Sequence, residues 1–217
     1  MQKRFLSLLM AALMVFSLFP FTAAAADIVN SGACGENLTW TLDADGVLTI
    51  TGAGPMADYS GSNSPFYNRS AIQSVVIEPG VTSIGYFAFT GCSSLTSVTI
   101  PEGVTSIGID AFRNCSSLTS AMIPEGVTSI GSSAFRDCTG LTSVMIPKSV
   151  TSIGNNAFNG CSGLTSVTIP EGVTSIEDNA FNGCTSLTDV YYPGTITQWN
   201  AISISYNNDE LLNAARH

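Results

Sequence analysis

The string Leu95-Thr96-Ser97-Val98-Thr99-Ile100-Pro101-Glu102-Gly103-Val104-Thr105-Ser106-Ile107-Gly108, followed by Ala111-Phe112 and Cys115, restarts at Leu118, Leu141 and Leu164, 23 residues on each time. An earlier copy starts at Ile72 and a truncated one at Leu187. A unit this short cannot bury its own apolar face, so its neighbours must bury it. The repeat therefore constrains the chain to a stack of similar coils.

The pattern inside one unit sets the local structure of a coil. Val98 and Ile100 alternate with Ser97 and Thr99, the period-two rhythm of a half-buried strand. Pro101 ends that strand because it cannot donate to a ladder. Val104-Thr105-Ser106-Ile107 gives a second extended piece between Gly103 and Gly108, and 110–115 has room for one helical turn. The spacing thus predicts a β-rich solenoid of the leucine-rich repeat type. It has about five 23-residue coils, parallel strands stacked about 4.8 Å apart, and one helical turn per repeat. Leu95, Ile107 and Phe112 with their equivalents form inward columns.

Open sheet edges need covering. Residues 27–71 lack the visible repeat, and Leu38–Leu42 and Val47–Thr51 flank an Asp-Gly turn, which predicts a β-hairpin cap. Gly52 to Ser64 reads as a loop. At the other end 187–217 leaves the pattern. There Trp199, Ile202 and Ile204 are available to cover the last coil, and Asn208 is placed to N-cap a short final helix.

The repeat unit at 95–115 resembles that of the BspA-like (Treponema pallidum-type) leucine-rich repeat proteins, and the likeness covers about 72–186. The flanks Gly32–Trp40 and Gly194–Ile202 are similar to those of secreted bacterial members. The resemblance implies a secreted or cell-surface protein acting in adhesion to host matrix or cells. It brings no shared catalytic residues.

The first 26 residues fit that setting. Lys3 and Arg4 precede an apolar run from Phe5 to Phe21, and Ala23–Ala26 follow, which reads as a signal peptide cut after Ala26. A retained anchor is the alternative, and membrane contact is expected only through this segment if it stays uncleaved. No further anchor is visible. The division expected is 1–26 signal peptide, 27–71 N-terminal cap, 72–186 repeats and 187–217 C-terminal cap.

Composition removes most chemistries. Seven basic against sixteen acidic side chains give −9, so a phosphate backbone is not the partner. The one histidine is His217, which leaves no Ser-His-Asp triad, no Cys-His pair and no histidine-based metal site. No cofactor is expected. Only 11 % of residues are charged, so Ser, Thr, Asn and Gly must supply solubility.

Cys92, Cys115, Cys138, Cys161 and Cys184 recur at the repeat step, with Cys34 apart. In-register stacking sets their Cβ atoms parallel and about 4.8 Å apart, whereas a disulfide needs about 3.8 Å. A ladder of buried free thiols is expected over disulfides or a metal. Glu102, Glu125, Lys148 and Glu171 follow the strand prolines, and Lys148 is expected to relieve the carboxylate ladder. Asp43-Ala44-Asp45-Gly46 resembles the start of a calcium loop but lacks its other ligands, so a turn is preferred. The sequons at Asn37, Asn68 and Asn114 are read as chance matches.

The outward strand positions remain as the candidate binding face: Val76, Thr99, Met122, Met145, Thr168, Asp189 and Tyr191. Met adapts to varied partners and Tyr is favoured at interfaces. The bland alternative is a solvated face with scattered apolar residues. The expected function is a non-enzymatic interaction protein whose partner is a host matrix or surface protein or a glycan. The competing classes are a self-assembling envelope protein and, more remotely, an ice-binding solenoid or a carboxylate-only glycosidase.

Overall fold

The computed structural model describes residues 27–217; the expected signal peptide lies outside the described residues. The chain begins with β1 (Ile28–Gly35), β2 (Leu38–Asp43), β3 (Val47–Gly52) and β4 (Gly54–Pro55). Two strands per coil follow: β5 (Ser74–Ile77) and β6 (Val81–Ile84), β7 (Ser97–Thr99) and β8 (Ser106–Ile107), β9 (Ser120–Met122) and β10 (Ser129–Ile130). Then come β11 (Ser143–Met145) and β12 (Ser152–Ile153), and β13 (Ser166–Thr168) and β14 (Ser175–Ile176). The chain closes with β15 (Asp189–Tyr191), α1 (Ile196–Trp199), β16 (Ser203–Ile204), α2 (Asp209–Asn213) and β17 (Ala215–Arg216).

Two sheets result. The wider has ten strands in the order β1-β2-β3-β5-β7-β9-β11-β13-β15-β17, and the narrower has seven in the order β16-β14-β12-β10-β8-β6-β4. From β3 onward every pairing in the wider sheet is parallel, and repeat-equivalent residues pair in register, as Ser97 with Ser120 and Val98 with Ala121. The core runs between the sheets as continuous columns, and Leu95, Ile107, Phe112 and their repeat equivalents are buried.

Each cap adds a coil that the sequence period does not display. β3 and β4 make the coil before Ile72, and Phe66 starts the phenylalanine column. Its ring stacks on Phe89 at 5.2 Å, and the stack continues to Phe181 with centroid steps of 5.2–5.4 Å. The expected hairpin is β2-β3. Asp43 Oδ1 accepts the Asp45 and Val47 N–H groups at 3.0 and 2.8 Å, so this carboxylate builds the turn. β1 extends the hairpin to three antiparallel strands, and the expected loop after Gly52 contains β4 and one 3-10 turn at Gly61–Asn63. β15 and β16 form the last coil, with Trp199 and Ile202 buried and Ile204 partly so.

The segment expected to make a helical turn is instead a run of linked β-turns. Residues 110 and 114 take positive φ, 53° and 60°, which an α-helix does not accommodate. The N–H groups then alternate. Those of Ala111, Arg113 and Cys115 close local turns onto Gly108, Asp110 and Phe112. Those of Asp110, Phe112 and Asn114 donate to Ser132, Ala134 and Arg136 of the next coil. The turns thereby form a third inter-coil ladder.

Candidate interaction face

The parallel register assembles the proposed face. On the outer side of the ten-stranded sheet Val76 pairs with Thr99, Thr99 with Met122, Met122 with Met145, Met145 with Thr168, and Thr168 with Tyr191. Six of the seven candidate residues thus share one column across the strands. Asp189 lies in the neighbouring column, opposite Ser166. Met122 and Met145 are 82 % and 70 % exposed and adjacent, a two-residue apolar island in a hydroxyl-rich face. Tyr191 is 47 % exposed, Thr99 is exposed, and Val76, Thr168 and Asp189 are half-buried.

Two further residues join this face. Thr49 extends the column beyond Val76 through the β3-β5 pairing. At the far end the His217 ring stacks on Tyr191 with centroids 5.0 Å apart, and its Nε2 lies 2.6 Å from Asp189 Oδ1. The Thr188 hydroxyl also donates to Asp189, and these two hydrogen bonds hold the Asp189 carboxyl below its usual range. Thr49 could have been found by extending the hairpin register. No periodic signal points to His217, which arrives through the non-repeating β17.

The flanking threonines serve the stack itself. The Thr119, Thr142 and Thr165 hydroxyls each donate to the backbone carbonyl of the equivalent threonine one coil before, at 3.3, 3.3 and 3.0 Å. The Met column is the part of the face that such bonds leave open.

All six cysteines are free and buried. Each thiol of the repeat column donates to a phenylalanine carbonyl of the preceding coil, as Cys115 to Phe89 at 3.3 Å and Cys138 to Phe112 at 3.1 Å. Burial pushes these thiols up, Cys92 and Cys184 to about 12. They are core donors, and nothing in their placement makes them nucleophiles.

Lys148 stands in this ladder without touching its neighbours through its charge. Its backbone N–H, rather than its ammonium, meets Glu125 Oε2 at 3.1 Å, and among the described residues no ion pair links it to Glu125 or Glu171. Among the described residues no group of His, Cys, Asp or Glu side chains is arranged to hold a metal ion.

A solenoid with 23-residue parallel coils, a thiol-to-phenylalanine column and an open outer sheet is thus in place. Residues 61–188 match the family described as "BspA type Leucine rich repeat region", in six copies. The chain belongs to this BspA-type leucine-rich repeat family. Among solved structures it is similar to the T. pallidum leucine-rich repeat protein TpLRR, with 29 % identity, a TM-score of 0.60, and coverage of 76 % of this chain and 82 % of that one. It is also similar to a leucine-rich repeat protein from Eubacterium ventriosum ATCC 27560, with 30 % identity and a TM-score of 0.65. There the match covers 76 % of this chain and 44 % of that one, so this chain spans less than half the length of that protein. No curated protein matches the sequence. Membership of the BspA-type family supports a protein-interaction role, and its solenoids are generally non-enzymatic. Among the described residues no helix is long and apolar enough to cross a membrane.

Proposed function

We propose that this chain is a secreted or cell-surface interaction protein that adheres to a host matrix or surface protein, or a surface glycan, through the outer face of the ten-stranded sheet. One observation carries the reading: the exposed Met122–Met145 pair in the middle of an in-register face. Adaptable thioether side chains at the centre of a polar surface suit a protein partner, with Tyr191 as an aromatic anchor toward one end. The signal-like residues 1–26 and the family support export.

The test is a binding screen of the 27–217 chain against matrix proteins and glycans, repeated with Met122→Asp, Met145→Asp and Tyr191→Asp combined. Binding is expected to fall to background while the circular dichroism and melting temperature stay those of the parent. Undiminished binding by a folded triple variant would reject this face.

Self-association is the second reading, and it rests on β1. This edge strand has no charge and no proline, and it exposes Ile28 and Val29. Light scattering across a concentration series distinguishes it: a constant monomer mass removes it.

A further inference from the structure

The seven-stranded sheet carries a different surface from the Met face. Ser83, Ser106 and Ser129 stand in register on its outer side. Among the described residues none of their hydroxyls bonds to protein. Beside them run Gly85, Gly108, Gly131 and Gly154, a line that ends where Glu177 takes the fifth position. A Cβ at Gly108 would stand 2.8 Å from the Gly85 carbonyl carbon, and one at Gly131 would stand 2.7 Å from that of Gly108. The coils therefore meet backbone to backbone along this line, and a trough of about 260 Å³ lies over it, lined by Ser83, Tyr86, Ser106, Ile109 and Ser129.

The walls and end of the trough have distinct chemistry. The Tyr86 ring lies against Gly108 yet remains 43 % exposed, and Ile109 continues the same wall one coil on. Asp58 closes the N-terminal end. Its Oδ1 accepts the Tyr86 N–H at 2.9 Å, which fixes the base of the aromatic ring and leaves Oδ2 without a protein partner among the described residues.

An aromatic face, a line of free hydroxyls and one available carboxylate oxygen complement a ring that is apolar on its faces and hydroxylated around its rim. That is a pyranose. Asp58 and Glu177 stand at the two ends of the line in a chain of net charge −9, so an anionic polymer is repelled. A peptide strand would need free backbone edges, and the strands β6, β8 and β10 are paired on both sides.

We propose that this trough binds a neutral linear glycan, with one sugar ring on Tyr86 and its hydroxyls on Ser83, Ser106 and Asp58. The site lies on the opposite sheet from Met122 and Met145 and stands independently of the proposed adhesion face.

The experiment is calorimetric titration of the 27–217 chain with neutral β-linked glucose, mannose and N-acetylglucosamine oligosaccharides, with heparin as the anionic control. At least one neutral oligosaccharide is expected to bind. Tyr86→Ala and the trough-filling Ser106→Gln should each weaken it about tenfold or more, and the Met122→Asp, Met145→Asp double variant should leave it unchanged. Tyr86 is exposed, and circular dichroism verifies that both trough variants fold. The proposal is overturned if no neutral oligosaccharide binds, if the folded trough variants bind as the parent does, or if heparin binds in preference. Loss through the Met variant alone would move the glycan to the other face.

Discussion

Individual residues in this solenoid are chosen for the conformation a repeat demands. The position two residues after the core phenylalanine is Gly91, Asn114, Asp137, Gly160 and Gly183, all with φ between 58° and 76°. Glycine reaches this region freely, whereas asparagine and aspartate reach it at some cost. Asn114→Gly should therefore stabilise the fold by up to about 1 kcal/mol, read as a higher urea midpoint with an unchanged slope. A lower midpoint would mean that the Asn114 side chain matters more than its backbone.

The thiols make a second prediction at this scale. Burial raises Cys92 and Cys184 to about 12 from an ordinary 9.0, and holds Cys115, Cys138 and Cys161 well above that ordinary value. Below pH 9 the thiols are protonated in both folded and unfolded chains, so their full contribution to stability is present. Above pH 9 the unfolded chain loses protons first, and each buried thiol then removes about 1.4 kcal/mol of stability per pH unit until its folded value is passed. Urea denaturation at pH 8, 9, 10 and 11 should show a steep alkaline loss. The slope should be shallower in a Cys115→Ser, Cys138→Ser variant, and equal slopes would contradict the account.

At the scale of elements, what the sequence made legible was whatever recurs. The outward strand residues, the inward columns and the thiol ladder all follow from one 23-residue unit. The turn segment reads as helical only while Ala111-Phe112-Arg113 is taken alone; Asp110 and Asn114 on either side, residue types that reach the left-handed region, are the local mark against it. Its conformation is set by hydrogen bonds to the next coil, which no window within one repeat contains. Asn208 shows the same limit. It precedes α2 as expected, but its side chain does not cap that helix. Its Oδ1 accepts the Phe181 N–H at 2.9 Å, taking the place of the alanine carbonyl that serves Phe112, Phe135 and Phe158. Its Nδ2 donates to the Glu177 and Ser205 carbonyls. Glu210 replaces another carbonyl in the same ladder by accepting the Gly183 N–H at 2.8 Å. Side chains thus finish a backbone ladder where the repeat stops. Asn208→Ala leaves buried groups unpaired and should cost about 1–3 kcal/mol, measured as a fall in urea stability. A cost near zero would show that water replaces the amide.

The whole molecule is a column of seven coils whose two ends are closed alike. At the start Trp40 packs edge-on to Phe66 and carries the Arg69 guanidinium 5.4 Å above its ring. At the finish Trp199 packs edge-on to Tyr192 and carries Arg216 at 5.0 Å. Each cap ends the apolar column with a buried indole and sets a cation over its ring. Because each coil depends on its neighbours, damage at an end propagates. Trp199→Ala should cost about 3–5 kcal/mol and broaden the thermal transition, with hydrogen exchange accelerated first in β15 and β16. Uniform acceleration along the chain would instead indicate a single all-or-none unit.

The thiol ladder has one more consequence, for the history of the chain rather than its final form. In the folded column each of the five repeat cysteines donates to a carbonyl, and all six cysteines are free. In the unfolded chain all six are exposed and free to meet. Any disulfide formed at that stage is therefore a mistake, so stacking must outrun oxidation. Refolding with oxidised glutathione should yield less native protein than refolding with a reductant, and the native column, once closed, should be indifferent to either.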